Sequence, residues 1–212
     1  MKKDIKVASN LLDIEAVKLS PSKPFTWASG WKSPIYCDNR KLLSYPEKRK
    51  EICEYIKGTI EKYFPNCEII AGVATGAIAY GSIVADMMNK PFIYIRSSEK
   101  DHGLKNRVEG VLPKAGKVVL IEDLISSGGS SLSALDAVEK EGGMVLGMVA
   151  IFSYNFGSSR RAFEKKNIIL HTLSNYDALI DVALEKGIIK EKDVNILKKW
   201  RLSPETWGQN EE

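Results

Sequence analysis

The chain lacks any long apolar run. No stretch stays apolar over the roughly 20 residues that a membrane-crossing helix needs. Its first segment, MKKDIKVASNLLDIEAV, starts basic but has no unbroken apolar centre, so a signal peptide is not expected. Charge of one sign is scarce too: 31 Lys and Arg against 27 Asp and Glu leave only +4. Nucleic-acid binders concentrate far more positive charge on one face, so nucleic acid is not an expected partner. Cysteine is limited to Cys37, Cys53 and Cys67, an odd number without metal-ligand spacing, which reads as reduced, partly buried thiols. Two common phosphate motifs, G-x-x-x-x-G-K-[ST] and G-x-G-x-x-G, are missing. Repeats, linkers and low-complexity tracts are absent as well. The expectation is a soluble, cytoplasmic protein with no membrane or nucleic-acid partner.

What is present is ordinary globular material. With 44% hydrophobic residues in 212, there is enough for one sizeable α/β domain. Residues 3–19 carry apolar side chains at helical spacing, ended by Pro21 and Pro24. FTWASGWKSPIYCDNR, Phe25 to Arg40, reads as a small antiparallel hairpin. Ser44 with Glu47 three residues on predicts a capping box, with Pro46 in the first turn of a helix to about Tyr63. From Cys67 the pattern alternates. EIIAGVA, PFIYIR, KVVLIED, MVLGMVAIF and IILHTL read as strands, with helices over 76–88, 131–141, 157–165, 176–185 and 191–199. Residues 97–110 read as a long exposed loop. Strands alternating with helices imply a mostly parallel twisted sheet flanked by helices. The expected layout is a single domain: a small N-terminal hood over about 1–45, a core sheet over 65–175, and C-terminal helices over 176–212.

The richest stretch is KVVLIEDLISSGGSSL, Lys117 to Leu132. Val118 to Ile121 suit a strand buried on both faces. Glu122 and Asp123 then sit where that strand is expected to meet solvent. Two adjacent carboxylates repel, and they are costly without cationic or hydroxyl partners. Ser126, Ser127, Gly128, Gly129 and Ser130 offer N–H groups and hydroxyls with little bulk, suited to a phosphate at a helix N-terminus. Acids for sugar hydroxyls beside a phosphate loop point to a sugar phosphate. Against this stands the plainer reading of a strand, a turn and a serine-capped helix, which the glycines alone would favour. IIAGVATGAIAYG, Ile69 to Gly81, repeats the small-residue turn and places Thr75 at another strand end. RSSEKDHGLKNRVEG, Arg96 to Gly110, is a basic run that could close over an anion.

The run from Lys117 to Leu132 resembles the ribose-phosphate signature of the type I phosphoribosyltransferases. K-D-H-G followed by E-G, and S-G-x-x-S-P-x-Y in the hairpin, resemble the lid and hood of the orotate phosphoribosyltransferases. Three separated segments agree, in that family's order. The resemblance implies transfer of ribose 5-phosphate from 5-phosphoribosyl 1-diphosphate to N1 of orotate, giving orotidine 5′-phosphate and diphosphate. It implies that Glu122 and Asp123 hold the ribose hydroxyls, with Asp123, Lys100 and His102 catalytic. Binding of phosphoribosyl diphosphate would involve Arg96, Lys100, His102, Glu122, Asp123, Leu124, Ile125, Ser126, Ser127, Gly128, Gly129 and Ser130. Ser126 would also reach orotate. Mg2+ would come in on the diphosphate, with no ligand set supplied directly by the protein. A homodimer sharing the lid across subunits is implied.

The chain departs from some members at Ser97, Ala28, Thr75-Gly76 and Ser153-Tyr154-Asn155, where cations or other residues often stand. Lys32 and Arg40 are the remaining candidates to meet the orotate carboxylate. Two rivals stay open: a phosphoribosyltransferase for another base, and a non-catalytic regulator that senses phosphoribosyl diphosphate.

Overall fold

Strands rich in Val and Ile with no alternation belong in the middle of a parallel sheet, and the structure puts them there. It is a computed structural model describing residues 2–27, 30–98 and 106–208. In chain order the elements are α1 (Lys3–Asp13), β1 (Val17–Leu19), β2 (Phe25–Thr26), β3 (Lys32–Ser33) and β4 (Ile35–Cys37). A 3-10 helix (Asn39–Ser44) then leads to α2 (Pro46–Tyr63), β5 (Ile69–Val73), α3 (Ile78–Met87), β6 (Phe92–Ile95), β7 (Val108–Glu109) and β8 (Lys117–Ile125). The rest are α4 (Gly129–Lys140), β9 (Met144–Ser153), α5 (Gly157–Lys165), β10 (Leu170–Asn175), α6 (Tyr176–Glu185) and α7 (Glu191–Leu202).

The main sheet runs β10-β9-β8-β5-β6-β7, parallel except for the last pair. Successive side chains on a strand point to opposite faces, so each face builds its own core. Ile70, Val119, Ile121, Val149 and Ile151 pack with residues of α1, α2, α3 and α6. Ala71, Val118, Leu120, Met148 and Ala150 pack on the other side with Leu135 and Val138 of α4 and Phe163 of α5. With helices on both faces, the ligand crevice of such a sheet lies at the carboxyl ends of its strands. Among the described residues no helix is long and apolar enough to cross a membrane.

Four local expectations are corrected. The first helix stops at Asp13, not Leu19. Val17 to Leu19 instead form β1, antiparallel to β4 with Val17 opposite Cys37, after a turn at Glu15 with φ 52°. The hairpin divides: β2 pairs with β3, while β4 turns to β1 beyond Pro34, whose carbonyl accepts the Ser20 N–H. Ser44 does not cap α2. Tyr45 takes that place without a side-chain bond, and Pro46 fills the first helical position, where no N–H is needed. The loop expected over 97–110 ends in structure, because Val108 is buried and β7 adds to the sheet beside Tyr94 and Ile95.

Candidate active site

Neighbouring parallel strands deliver their following loops to one place. β5 leads into residues 74–77, which include a cis peptide between Ala74 and Thr75. β8 leads into 126–128, and β9 into Tyr154, whose N–H donates to the Ile125 carbonyl at 3.0 Å.

The acid pair lies between these loops. It is not at the solvent boundary expected from the sequence: β8 runs on to Ile125, and Glu122 is only 5% exposed. Pairing of Glu122, Leu124 and Ile125 with Ala150, Phe152 and Ser153 of β9 explains the extension. Ser131 on α4 donates its hydroxyl to Glu122 Oε2 at 2.9 Å, and the Asp123 N–H donates to Glu122 Oε1 at 3.2 Å. Burial pushes the Glu122 carboxyl well above the usual range, and the Asp123 charge pushes further; the Ser131 bond opposes both. Asp123 is also raised, mainly by burial, with Arg40 among the groups pulling it back. Gly76 backs directly onto the Asp123 carboxylate. A Cβ there would lie 2.6 Å from Oδ1 and nearer still to the other carboxyl atoms.

The phosphate-type loop has the form its composition suggests. Gly128 turns the chain with φ 85°, a left-handed value that a side chain would strain. It stands at the N-cap of α4, and no side chain caps that helix. The first N–H groups of α4 are thus directed at a loop where Ser127, Gly129 and Ser130 are exposed, an arrangement that favours an anion.

Beside the loop is a cavity of about 240 Å3, lined by Thr26, Trp27, Tyr36, Cys37, Leu124, Ser126 and Tyr154. Hood and sheet each supply walls. Trp27 is held by its indole N–H on the Ile35 carbonyl at 3.1 Å and by ring contacts to Trp31, Tyr154 and Trp200. Ser126 therefore belongs to both the loop and the cavity, and Leu124 brings the end of β8 to the same wall. Lys32 and Arg40 do not line it. Lys32 bonds Thr26 at 3.1 Å, and Arg40 bonds Asp38 at 2.6 Å near the acid pair.

Arg96 follows β6. Its N–H donates to the Arg107 carbonyl, and its guanidinium meets Glu109 at 3.4 Å. Arg107 in turn donates to the Arg96 carbonyl and to Ser133 on α4. Lys100 and His102 lie outside the described residues, as does Ala28.

The phosphoribosyl transferase domain family matches residues 39–185. The chain is 54% identical to the orotate phosphoribosyltransferase of Porphyromonas gingivalis over 202 residues, 95% of this chain and 96% of that protein. It is 53% identical to that of Enterococcus faecalis over 204 residues, 96% and 97% of the two chains. The chain belongs to the orotate phosphoribosyltransferase family. Solved structures of this family share the fold at low identity. The Aeropyrum pernix orotate phosphoribosyltransferase superposes with TM-score 0.74 at 23% identity, covering 87% of this chain and 99% of that one. The Francisella tularensis protein gives 0.72 at 16% identity, covering 95% and 96%.

Two residues of this family member went unnoticed in the sequence. Asn39, 1% exposed, donates its amide to the Asp123 carbonyl at 2.6 Å. Its own carbonyl accepts the Tyr80 hydroxyl at 2.7 Å, and its side-chain oxygen accepts the Cys37 thiol at 3.2 Å. One amide thus ties hood, α3 and the acid strand together. An Asn in a D-N-R run reads as a turn residue, and nothing local reveals a partner 84 positions away. Trp200 on α7 is fully buried beneath Trp27, Tyr154 and Phe156. The helix read over 191–199 carries no local sign that the residue after it packs against the hood.

Proposed function

We infer that this protein is an orotate phosphoribosyltransferase, a pentosyltransferase of UMP biosynthesis. It joins orotate to 5-phosphoribosyl 1-diphosphate, giving orotidine 5′-phosphate and diphosphate. The observation that carries the reading is an acid pair on β8 whose next residues line the aromatic cavity and lead into the uncapped start of α4, in a chain of this family. A phosphate on α4 and a base in the cavity leave the ribose beside the acid pair.

In this reading the residues divide the work. The N–H groups and hydroxyls of Ser126 to Ser130 hold the 5′-phosphate. Asp123, the less buried acid, meets the ribose hydroxyls and sets negative charge beside the ribose as it turns oxocarbenium-like. Glu122 sits behind it, fixed by Ser131. Arg96, with Lys100 and His102, meets the diphosphate, the last two reaching across a homodimer. Ser126 contacts the base. N1 of orotate takes the anomeric carbon as diphosphate leaves, so catalysis rests on positioning and charge stabilisation. Mg2+ would be held mainly through the diphosphate, with the Asp123 carboxylate a hard oxygen donor nearby, and would offset the charge of that leaving group. We place the protein in the cytoplasm.

The test is loss of orotate absorbance in the ultraviolet with phosphoribosyl diphosphate and Mg2+, beside a panel of purines and uracil. Orotate is expected to be consumed only when both are present. No consumption, or faster use of another base, would overturn the assignment.

A further inference from the structure

Tyr154 is the one wall of the cavity that comes from the strand end after β9. It is 1% exposed, yet it lines the cavity. No hydrogen bond to its hydroxyl forms among the described residues. Trp200 Nε1 is the only described side-chain polar atom that is both sealed and unpartnered, so the Tyr154 hydroxyl is not fully sealed in the core, and the space its residue lines is the cavity. A buried phenol normally finds a partner, and one that lacks it inside the protein is placed to find it in a ligand.

The ring is held firmly. It stacks on Phe156 at 5.4 Å, packs against Trp27 at 5.4 Å, and meets Phe152 and Trp200 edge-on at 5.7 and 5.6 Å. Its backbone N–H is fixed on Ile125. The hydroxyl therefore has little freedom to lose on binding, which makes a hydrogen bond from it worth more. Burial pushes its ionisation far up, so the group is a neutral O–H. The described lining residues carry no formal charge, and Thr26, Cys37 and Ser126 are the other polar groups there. A neutral donor among neutral walls suits a neutral acceptor and gives no compensation to a carboxylate.

We propose that Tyr154 is a base-binding residue whose hydroxyl donates to a ring carbonyl oxygen of the pyrimidine, and that the base's carboxylate points away from this wall. The proposal rests on the functional reading above. In this chain the base edge is then read by a phenol, and discrimination follows from leaving that donor unpaired when the oxygen is absent.

The experiment is steady-state kinetics of wild type and Tyr154→Phe with orotate and with its 2-thio and 4-thio analogues, plus thermal midpoints. Phe keeps the ring contacts and removes one oxygen. The expected result is a KM for orotate raised about 10-fold, the size of one buried unpaired group. The KM for phosphoribosyl diphosphate and the midpoint stay unchanged. With one of the two thio analogues the penalty of the substitution disappears, because the accepting oxygen is already gone. An unchanged KM for orotate, an equal rise for both substrates, or the same penalty with all three bases would overturn the proposal while leaving the enzyme assignment intact. A wild-type protein that leaves orotate unconsumed would overturn the assignment and this proposal with it.

Discussion

Gly76→Ala tests whether the position of one carboxylate governs the reaction. The added Cβ would lie 2.6 Å from Asp123 Oδ1 and closer still to the rest of that group. Ordinary contact needs about 3.5 Å, so the carboxylate must retreat by roughly 1 Å. Gly76 does not have a left-handed φ, so alanine adds no backbone strain there. The change therefore falls on Asp123. A misplacement of about 1 Å at a reacting centre costs on the order of 100-fold in rate, close to 2.7 kcal/mol of barrier. The expected result is kcat/KM lowered by about 100-fold. The thermal midpoint should move by no more than an ordinary surface substitution causes, since the far end of a side chain yields cheaply. The assay is orotate absorbance under saturating phosphoribosyl diphosphate. A second measurement isolates the cause. In an Asp123→Asn background, much of the Gly76→Ala penalty should vanish, because the charge to be positioned is gone. Full activity in Gly76→Ala, or penalties that simply add, would refute the claim that this glycine serves the Asp123 carboxylate.

The main sheet was readable because its strands are apolar and β-branched on both faces, which leaves little competition from helix. Val118 to Ile121 and Met148 to Phe152 are all buried, as such runs require. The helices at 157–165 and 176–185 were bounded correctly by spacing alone. The hood was read poorly, for a physical reason. Its strands are two or three residues long, and pairings such as Val17 with Cys37 are decided by tertiary contact rather than local pattern. The same holds for β7, two residues fastened by Val108 in the core. At the site, composition revealed the acid pair and the phosphate-type loop, since two adjacent carboxylates before a run of small residues conflict with ordinary strand chemistry. It did not reveal which acid is exposed. That depends on β8 continuing beside β9 through Ile125, a matter of register. Asn39 could not be singled out, because an amide is common in turns and acquires its role only from partners far along the chain, and Tyr154 stood out only as part of the departure at 153–155, with no sign of what its hydroxyl faces.

Asp123→Asn should keep the fold and remove about 2–4 kcal/mol of transition-state stabilisation, read as kcat/KM for orotate; near-normal turnover would refute an electrostatic role. Lys100→Ala should slow turnover without lowering the thermal midpoint. Mixed dimers of Lys100→Ala and Asp123→Asn chains should regain activity over either parent, and no recovery would exclude a lid shared across subunits. The acid pair itself makes the last prediction. Glu122 has its folded pKa raised by burial and by Asp123, so the folded chain holds that proton after the unfolded chain has lost it. Stability of the empty protein must therefore fall as pH rises from the ordinary carboxylate range toward the folded value, and the deficit persists above it. Glu122→Gln keeps an oxygen to accept the Ser131 hydroxyl and removes the buried charge. The variant should have a higher thermal midpoint than wild type at neutral pH, the gap closing as the pH drops below the ordinary carboxylate range, while its turnover drops. A variant less stable than wild type at neutral pH would show that the ionised pair supports the fold, and that its burial is no sign of a site held ready for ligand.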